Sequence, residues 1–252
     1  FVDWLSKLGR PLFKRFIADP SSADGIFSDY DMPNKAVRHV AQDPGLRTGL
    51  WRSVGHSSNA FFKESFIDEL AQRAGIDELQ FRLANMKNNP RLTEATELVA
   101  AKAGWGKALP EGHFHGLATH SSFGSAVAQI AEVSVEGTKI VVHKVTAAIH
   151  CGLVVNPGIV RDAVEGGIIF GLTAALHGEI TLVDGVIQQS NFHSYPMLRM
   201  ADAPKVEVHI VESQEHPEGV GEPGLPPLAP AVANAVFKAS GQRLRDLPLR
   251  LS

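Results

Sequence analysis

The chain has 252 residues, of which 44% are hydrophobic and 20% are charged, a composition typical of a globular protein that can bury a core. Its 24 basic and 27 acidic residues leave a formal charge of −3, so no overall positive field favours binding to nucleic acid. No stretch of 18 residues is free of charged residues and turn formers, and we therefore predict no transmembrane segment.

The single cysteine, Cys151, limits the chemistry that this chain can perform alone. One thiol cannot form an intramolecular disulfide, a cysteine-rich zinc site or an iron–sulfur cluster. The same observation leaves the cellular compartment open. Because the chain begins with Phe1 and has no basic-then-apolar signal, we interpret it as the later part of a longer gene product.

The first half of the chain is predicted to be helical, because its apolar residues recur at helical spacing. The predicted helical segments run from Trp4 to Phe16, from Asn59 to Gly75, and from Thr93 to Gly104. A loop is predicted at 20–25, and the Asn-rich stretch between Leu83 and Pro90 predicts a connection.

The second half changes to strand periodicity, with hairpin signals between β-rich segments. The predicted strands and hairpins lie at 127–135, 140–149, 181–187 and 206–210. Asn156 and Pro157 are an N-cap and first-turn proline for a helix ending near His177, and a last helix runs from Ala229 to Ser240. The predicted fold class is therefore α+β, with mixed sheets, hairpins and packed helices in two sub-domains.

The most unusual stretch lies between Gly219 and Pro230 and contains three glycines and four prolines. These residues predict a shaped loop that delivers one carboxylate, Glu222, just ahead of a helix. A carboxylate that is fixed by its backbone and poorly solvated can act as a general base. The alternative is a solvent-exposed glutamate in a stiff turn.

A second polar stretch, 50–59, leads into a helix N-terminus, where free N–H groups and the helix dipole favour an anion. Arg52 adds a charge-assisted contact to a phosphate or oxo group. The alternative is that one of the residues at 57–59 caps the helix while Arg52 pairs with a surface acid.

Two further stretches are candidates for ligand contact. Gly167 and Gly171 are four residues apart in a predicted helix, which leaves one face bare for another backbone or for a flat ligand. The Ser/Gly-rich stretch at 120–126 either binds phosphate or simply turns into a strand.

The eleven histidines raise the alternative of a His-based metal hydrolase. His113 and His115 would face the same side of a strand, but no recognised metal-binding motif accompanies them. Scattered surface or core histidines explain the sequence better, and we assign no metal-ligating residues.

Taken together and in order, these stretches resemble the molybdenum-binding subunit of the xanthine oxidase family. The similarity is to the branch that contains the β chain of isoquinoline 1-oxidoreductase and related bacterial aldehyde dehydrogenases, and it extends from about Asp31 to the end. The matching stretches are WRSVGHSSNAF at 51–61, SFG at 122–124, CGLVVNP at 151–157, EGG at 165–167, YPMLRM at 195–200 and GEPG at 221–224.

The resemblance implies part of a molybdenum hydroxylase that oxidises an aldehyde or an N-heteroaromatic carbon with oxygen derived from water. It implies a molybdopterin cytosine dinucleotide cofactor with molybdenum, and it places on Glu222 the base that takes a proton from the metal's hydroxo ligand. The cofactor contacts that it implies fall on Arg52, Ser53, Ser122, Phe123, Gly124, Gly166, Gly167 and Gly221. Ala163 stands where relatives often have Gln, and Val54 where xanthine oxidase has a substrate-stacking Phe.

The resemblance also implies partners: the upstream part of the molybdenum subunit, an iron–sulfur subunit with [2Fe–2S] clusters, a cytochrome as electron acceptor, and a small-molecule substrate. The predicted organisation is a connecting segment at 1–30, a helical lobe at 31–110 with a cofactor-facing loop, and an α+β lobe at 111–252 with the catalytic loop. The alternative within this family is a non-catalytic assembly fragment.

Overall fold

The computed structural model describes residues 20–27, 29–40, 45 and 49–252. The helical segment predicted at 4–16 lies outside these residues, and the division into lobes stays a prediction. The α-helices of the described chain are α1 Val54–Ala74, α2 Glu78–Ala84, α3 Pro90–Ala103, α4 Pro157–Leu176 and α5 Leu228–Ser240. Short 3-10 helices lie at Pro20–Ala23 and Met200–Asp202.

Several helix ends are where their capping residues predict them. The terminal glycines of α1 and α3, Gly75 and Gly104, both adopt the left-handed conformation, which glycine adopts without steric cost. The side chain of Asn156 accepts hydrogen bonds from the first N–H groups of α4. The predicted start of α3 at Thr93 is wrong, because Asn89 caps that helix and Pro90 occupies its first turn.

The predicted start of α1 at Asn59 is also wrong, since the helix begins at Val54. Ser53 and Val54 have φ values of 69° and 41°, so a left-handed bend turns the chain directly into the helix. The polar residues of the first turn carry no apolar periodicity, and the sequence pattern therefore marks the helix only from its second turn.

The strands form one four-stranded sheet and one small hairpin. The strands are β1 His113–Ser122, β2 Ser125–Glu136, β3 Lys139–His150, β4 Leu182–Val183, β5 Val186–Ile187 and β6 Lys205–Ile210. The sheet has the order β1-β2-β3-β6, antiparallel except for the parallel pair β3–β6, and β4 pairs with β5. We did not predict β1 as a strand, because residues on both of its faces are buried and its sequence therefore lacks polar alternation.

The sheet is the middle layer of the fold. Helix α3 packs on the face that carries Leu117 and Ile130, and α4 and α5 pack on the opposite face. Gly116 permits the close approach of α5, because a Cβ atom there would lie 2.1 Å from the carbonyl oxygen of Ala231. This arrangement confirms the predicted α+β class. Among the described residues no helix has the length and apolar character needed to cross a membrane.

Candidate functional site

The loop that contains Glu222 and the bend that begins α1 are joined by hydrogen bonds between residues 169 positions apart. The backbone N–H of Ser53 donates to Glu222 Oε1 at 2.9 Å, and the Ser53 hydroxyl donates to the Glu222 carbonyl oxygen at 2.9 Å. Arg52 Nε donates to the Gly221 carbonyl oxygen at 3.0 Å, which one terminal guanidinium nitrogen also reaches. That nitrogen donates to the carbonyl oxygen of Ala163 at 3.3 Å as well. The pairing of Arg52 with a surface acid is therefore wrong.

The bend itself is a strained piece of backbone. Ser53 is fully buried, and positive φ values at non-glycine residues such as Ser53 and Val54 cost about 1–3 kcal/mol each. The hydrogen bonds to Glu222 offset part of this cost. None of the predicted caps at 57–59 is a cap: Ser57 donates to the Arg52 carbonyl oxygen at 2.8 Å, and Asn59 lies inside α1.

Helix α4 and strand β2 both contact the loop that contains Glu222. A Cβ atom added to Gly224 would lie 2.8 Å from the Val164 carbonyl oxygen, and one added to Gly167 would lie 3.2 Å from the Gly224 carbonyl carbon. Gln129 on β2 donates to the Gly224 carbonyl oxygen at 2.7 Å. We did not predict the role of Gln129; the available signal is a polar residue inside the apolar run at 126–131.

The two glycines of the Glu-Gly-Gly stretch have different surroundings. Gly166 and Gly167 lie in the middle of α4, which confirms the predicted helix at this position. Gly167 is buried against the Glu222 loop, as the close-packing interpretation requires, whereas a Cβ atom added to Gly166 would meet nothing within 4 Å.

Beside Gly166 the surface is aromatic. The exposed rings of Trp51 and Phe170 have centroids 5.1 Å apart, and the Arg52 guanidinium carbon lies 5.9 Å from the Phe170 centroid. Gly221, whose carbonyl binds Arg52, also has nothing within 4 Å of an added Cβ atom. The bare backbone at Gly166 and Gly221 therefore adjoins the group of residues that holds Glu222.

The predicted residues Ser122, Phe123 and Gly124 lie at the turn between β1 and β2. Phe123 and Gly124 have φ values of 53° and 79°, as in the two-residue turns that connect antiparallel strands. The Phe123 carbonyl oxygen accepts a hydrogen bond from the N–H of Gly219 at 3.1 Å, which ties this turn to the segment that leads to Glu222. The hydroxyl of Ser122 is buried and has no hydrogen-bond partner among the described residues.

The imidazole of His56 lies between these two groups of residues. His56 is one helical turn beyond Ser53, and the centroid of its ring is 5.1 Å from the centroid of the Phe123 ring. Burial lowers the pKa of His56 below 6.5, although the carboxylates of Asp24 and Glu222 oppose this shift. The site therefore contains an uncharged imidazole at neutral pH.

The histidines considered for a metal hydrolase do not converge. His113 Nδ1 lies 2.7 Å from Glu132 Oε1, and the His113 ring stacks on that of His143 with centroids 4.0 Å apart. His115 instead stacks on Trp105 at 6.0 Å. Within the described ranges no group of three or more His, Cys, Asp or Glu residues is arranged to hold a metal ion.

Comparisons with known proteins identify the family to which this chain is similar. A family model described as a molybdopterin cofactor-binding domain matches residues 61–204. The β chain of isoquinoline 1-oxidoreductase from Brevundimonas diminuta is 34% identical over 98% of this chain, which covers 32% of that protein. The B component of nicotinate dehydrogenase from Pseudomonas putida is 30% identical over 87% of this chain, which covers 20% of that protein.

The fold is shared with a solved structure of aldehyde oxidoreductase from Desulfovibrio gigas. The two structures have a TM-score of 0.70 at 14% sequence identity, over 96% of this chain and 44% of that chain. This chain thus spans between a fifth and a third of the length of the two relatives named above.

Proposed function

We propose, on the premise that this chain belongs to the molybdopterin cofactor-binding domain family, that it is the part of a molybdenum hydroxylase that presents the catalytic base, Glu222. The observation that carries the proposal is the pair of hydrogen bonds from Ser53 to Glu222. They hold the carboxylate next to the bare backbone of Gly221, in a group of residues brought together from three separate parts of the chain.

The residues present fit a large polar cofactor. Gly166 and Gly221 leave open space where a side chain would stand, and the buried Ser122 hydroxyl has no partner in the described structure. A buried hydroxyl without a partner loses the free energy of a hydrogen bond that a bound ligand can restore. We assign Gly166, Gly221 and the Arg52–Ser53 bend to the cofactor surface near Glu222, and residues 122–124 to a second contact.

Glu222 acts by taking up a proton at a fixed position. Its Oε1 atom accepts the Ser53 N–H, which orients the carboxylate and leaves Oε2 as the atom that takes up the proton during oxidation. Arg52 is a positioning residue, because its guanidinium binds the carbonyl oxygens of Gly221 and Ala163. The bound molybdenum cofactor supplies the transfer of oxygen and accepts two electrons.

The finer assignments are proposals that rest on the family resemblance of the sequence. We assign the cytosine dinucleotide form of molybdopterin, and as substrate an aldehyde or an N-heteroaromatic compound, the latter matching the names of two relatives. The single cysteine cannot hold an iron–sulfur cluster. We therefore propose, as the family resemblance implies, that a partner subunit with [2Fe–2S] clusters takes up the electrons and passes them to a cytochrome. We propose also that the upstream part of the molybdenum subunit completes the pocket.

The test is the substitution Glu222→Gln in the assembled enzyme, which keeps the size of the side chain and removes the base. We expect turnover to fall by about 10²–10⁴-fold, the usual contribution of general base catalysis, at unchanged molybdenum and pterin content. Glu212→Gln is the matched control, because Glu212 is an exposed glutamate of the segment that precedes the loop.

Turnover within a few-fold of the unmodified enzyme would reject Glu222 as the base. A purified complex without molybdenum or pterin would instead indicate the non-catalytic assembly role.

A further inference from the structure

A line of buried polar side chains runs from the interior to His56. Its inner end is Lys63 on α1, whose ammonium group forms an ion pair with Asp29. Lys63 also donates to the Gly25 carbonyl oxygen at 3.1 Å and to His120 Nδ1 at 3.0 Å. The three protons of the ammonium group therefore have three acceptors.

The next contact fixes where the histidine protons lie. Because an ammonium group only donates, His120 Nδ1 must be the acceptor, and the ring proton of neutral His120 must be on Nε2. His120 Nε2 lies 2.9 Å from His56 Nδ1, so His56 Nδ1 accepts in turn and the proton of neutral His56 must be on its own Nε2.

Both rings are uncharged at neutral pH. His120 is fully buried, and this burial, followed by the charge of Lys63, holds its pKa well below 6.5. Burial lowers the pKa of His56 as well. A proton cannot pass inward from His56 to His120. His120 Nε2 already carries the ring proton, and His120 Nδ1 already accepts an N–H of the Lys63 ammonium group.

Gly25 packs directly against the hydrogen bond between the two rings. Gly25 has a φ of +75°, and a Cβ atom there would lie 2.5 Å from His56 Nδ1 and 2.6 Å from His120 Nε2. Only a residue without a side chain can therefore cover this hydrogen bond. His56 also lines a cavity of about 300 Å³, together with Asp29, Ser122 and Phe123.

We infer that Lys63 and His120 are positioning residues that lock His56 in the Nε2–H tautomer, so that His56 presents a fixed, uncharged N–H donor to an oxygen or ring-nitrogen acceptor of the ligand bound beside Glu222. The tautomer lock follows from this chain alone. The identity of the acceptor, an atom of the cofactor or of the substrate, depends on the proposed function.

The first test is the side-chain ¹⁵N NMR spectrum of the isotopically labelled chain at neutral pH. We expect His56 and His120 to show the Nε2–H tautomer alone, whereas the exposed His193 serves as the reference for an imidazole free to exchange. An Nδ1–H tautomer or a doubly protonated ring at either residue would overturn the inference.

The double variant Lys63→Met/Asp29→Asn removes both charges of the buried pair together and releases His120 Nδ1. We expect a mixture of tautomers at His120 and His56, and an unchanged spectrum would also overturn the lock. If the variant fails to fold, the spectrum of the unmodified chain still decides the question. Neither measurement requires turnover, so both are independent of the Glu222→Gln result.

The second test compares His56→Phe with His56→Gln in the assembled enzyme. His56→Phe removes one hydrogen bond, so we expect either a rise of about 3- to 10-fold in KM or a loss of about 3- to 10-fold in affinity for the cofactor. The amide of His56→Gln should restore the affected quantity to within about two-fold of the unmodified enzyme. A rise in KM at unchanged kcat identifies a substrate acceptor, and loss of pterin content identifies a cofactor acceptor. Equal behaviour of the two variants, or no effect in either, would overturn the donor role.

Discussion

The close approach of the Glu222 loop to α4 predicts that Gly224→Ala destabilises the protein. The added Cβ atom would lie 2.8 Å from the Val164 carbonyl oxygen and 2.9 Å from its Cα atom, whereas carbon atoms in contact prefer about 3.5–4.0 Å. Both neighbours are backbone atoms of a helix, so the loop or the helix must move by more than half an ångström. Such overpacking costs about 1–3 kcal/mol.

An opposing effect reduces this figure. Alanine lowers the conformational entropy of the unfolded chain, which contributes about 0.4–1 kcal/mol of stabilisation. The net expectation is a loss of about 0–2.6 kcal/mol, centred near about 1 kcal/mol, and hence a fall in Tm of about 2–4 °C at the centre of this range for a protein of this size. Thermal unfolding followed by circular dichroism or calorimetry measures it directly.

Gly221→Ala is the matched control, because it lies three positions earlier in the same loop and has nothing within 4 Å of an added Cβ atom. With no clash to oppose the entropy effect, we expect Gly221→Ala to raise the free energy of unfolding by about 0.4–1 kcal/mol. If Gly224→Ala proves as stable as Gly221→Ala, then the contact with α4 neither constrains the loop nor positions Glu222.

Two further predictions concern charged groups away from the site. Arg82 is fully buried, with Nε 3.0 Å from Glu64 Oε2, so Arg82→Met should lower the free energy of unfolding by about 3–5 kcal/mol in urea titrations. The control is Arg245→Met, at an exposed pair with Glu69, which should change this free energy by less than about 1 kcal/mol. Equal effects of the two substitutions would show that burial does not strengthen the dependence on the Arg82–Glu64 pair. Hydrogen bonds from Lys144 and then Lys205 lower the pKa of Glu207 from 4.5 to about 2. Because this pKa is depressed in the folded state, its stabilisation is present above pH 4.5 and is lost as the pH falls toward 2. Solvent screening limits it to about 1 kcal/mol, so the stability difference between the unmodified protein and Glu207→Gln should shrink from pH 6 to pH 3, and a difference independent of pH would refute the reasoning.

Local signals account for the parts of the fold that the sequence predicts correctly. The Asn156–Pro157 start of α4 and the glycine ends of α1 and α3 depend on residues within one helical turn, so their sequence is sufficient. The start of α1 depends on the strained bend at Ser53. That bend is stabilised by Glu222, 169 residues away, and no local pattern reveals it.

The same limit applies to the candidate site. The sequence predicts that Gly167 is a close-packing or ligand position, but only the structure shows that it faces Gly224 whereas Gly166 faces open space. Gln129 and His120 lie in stretches that the sequence analysis considers, and Lys63 does not, but the roles of all three depend on partners that are distant in sequence. Buried polar side chains are recognised only when their acceptors are known.

Because the Ser53 N–H orients the Glu222 carboxylate, this carboxylate is correctly oriented only when these two distant parts of the described chain have folded together. Closing the contact between Ser53 and Glu222 encloses most of the described chain in a single loop, and contacts of such long range form late because their closure entropy must first be overcome. A partly folded chain would contain both stretches of sequence and still lack the oriented Glu222 carboxylate. The orientation of this side chain is thereby coupled to long-range contacts of the native state.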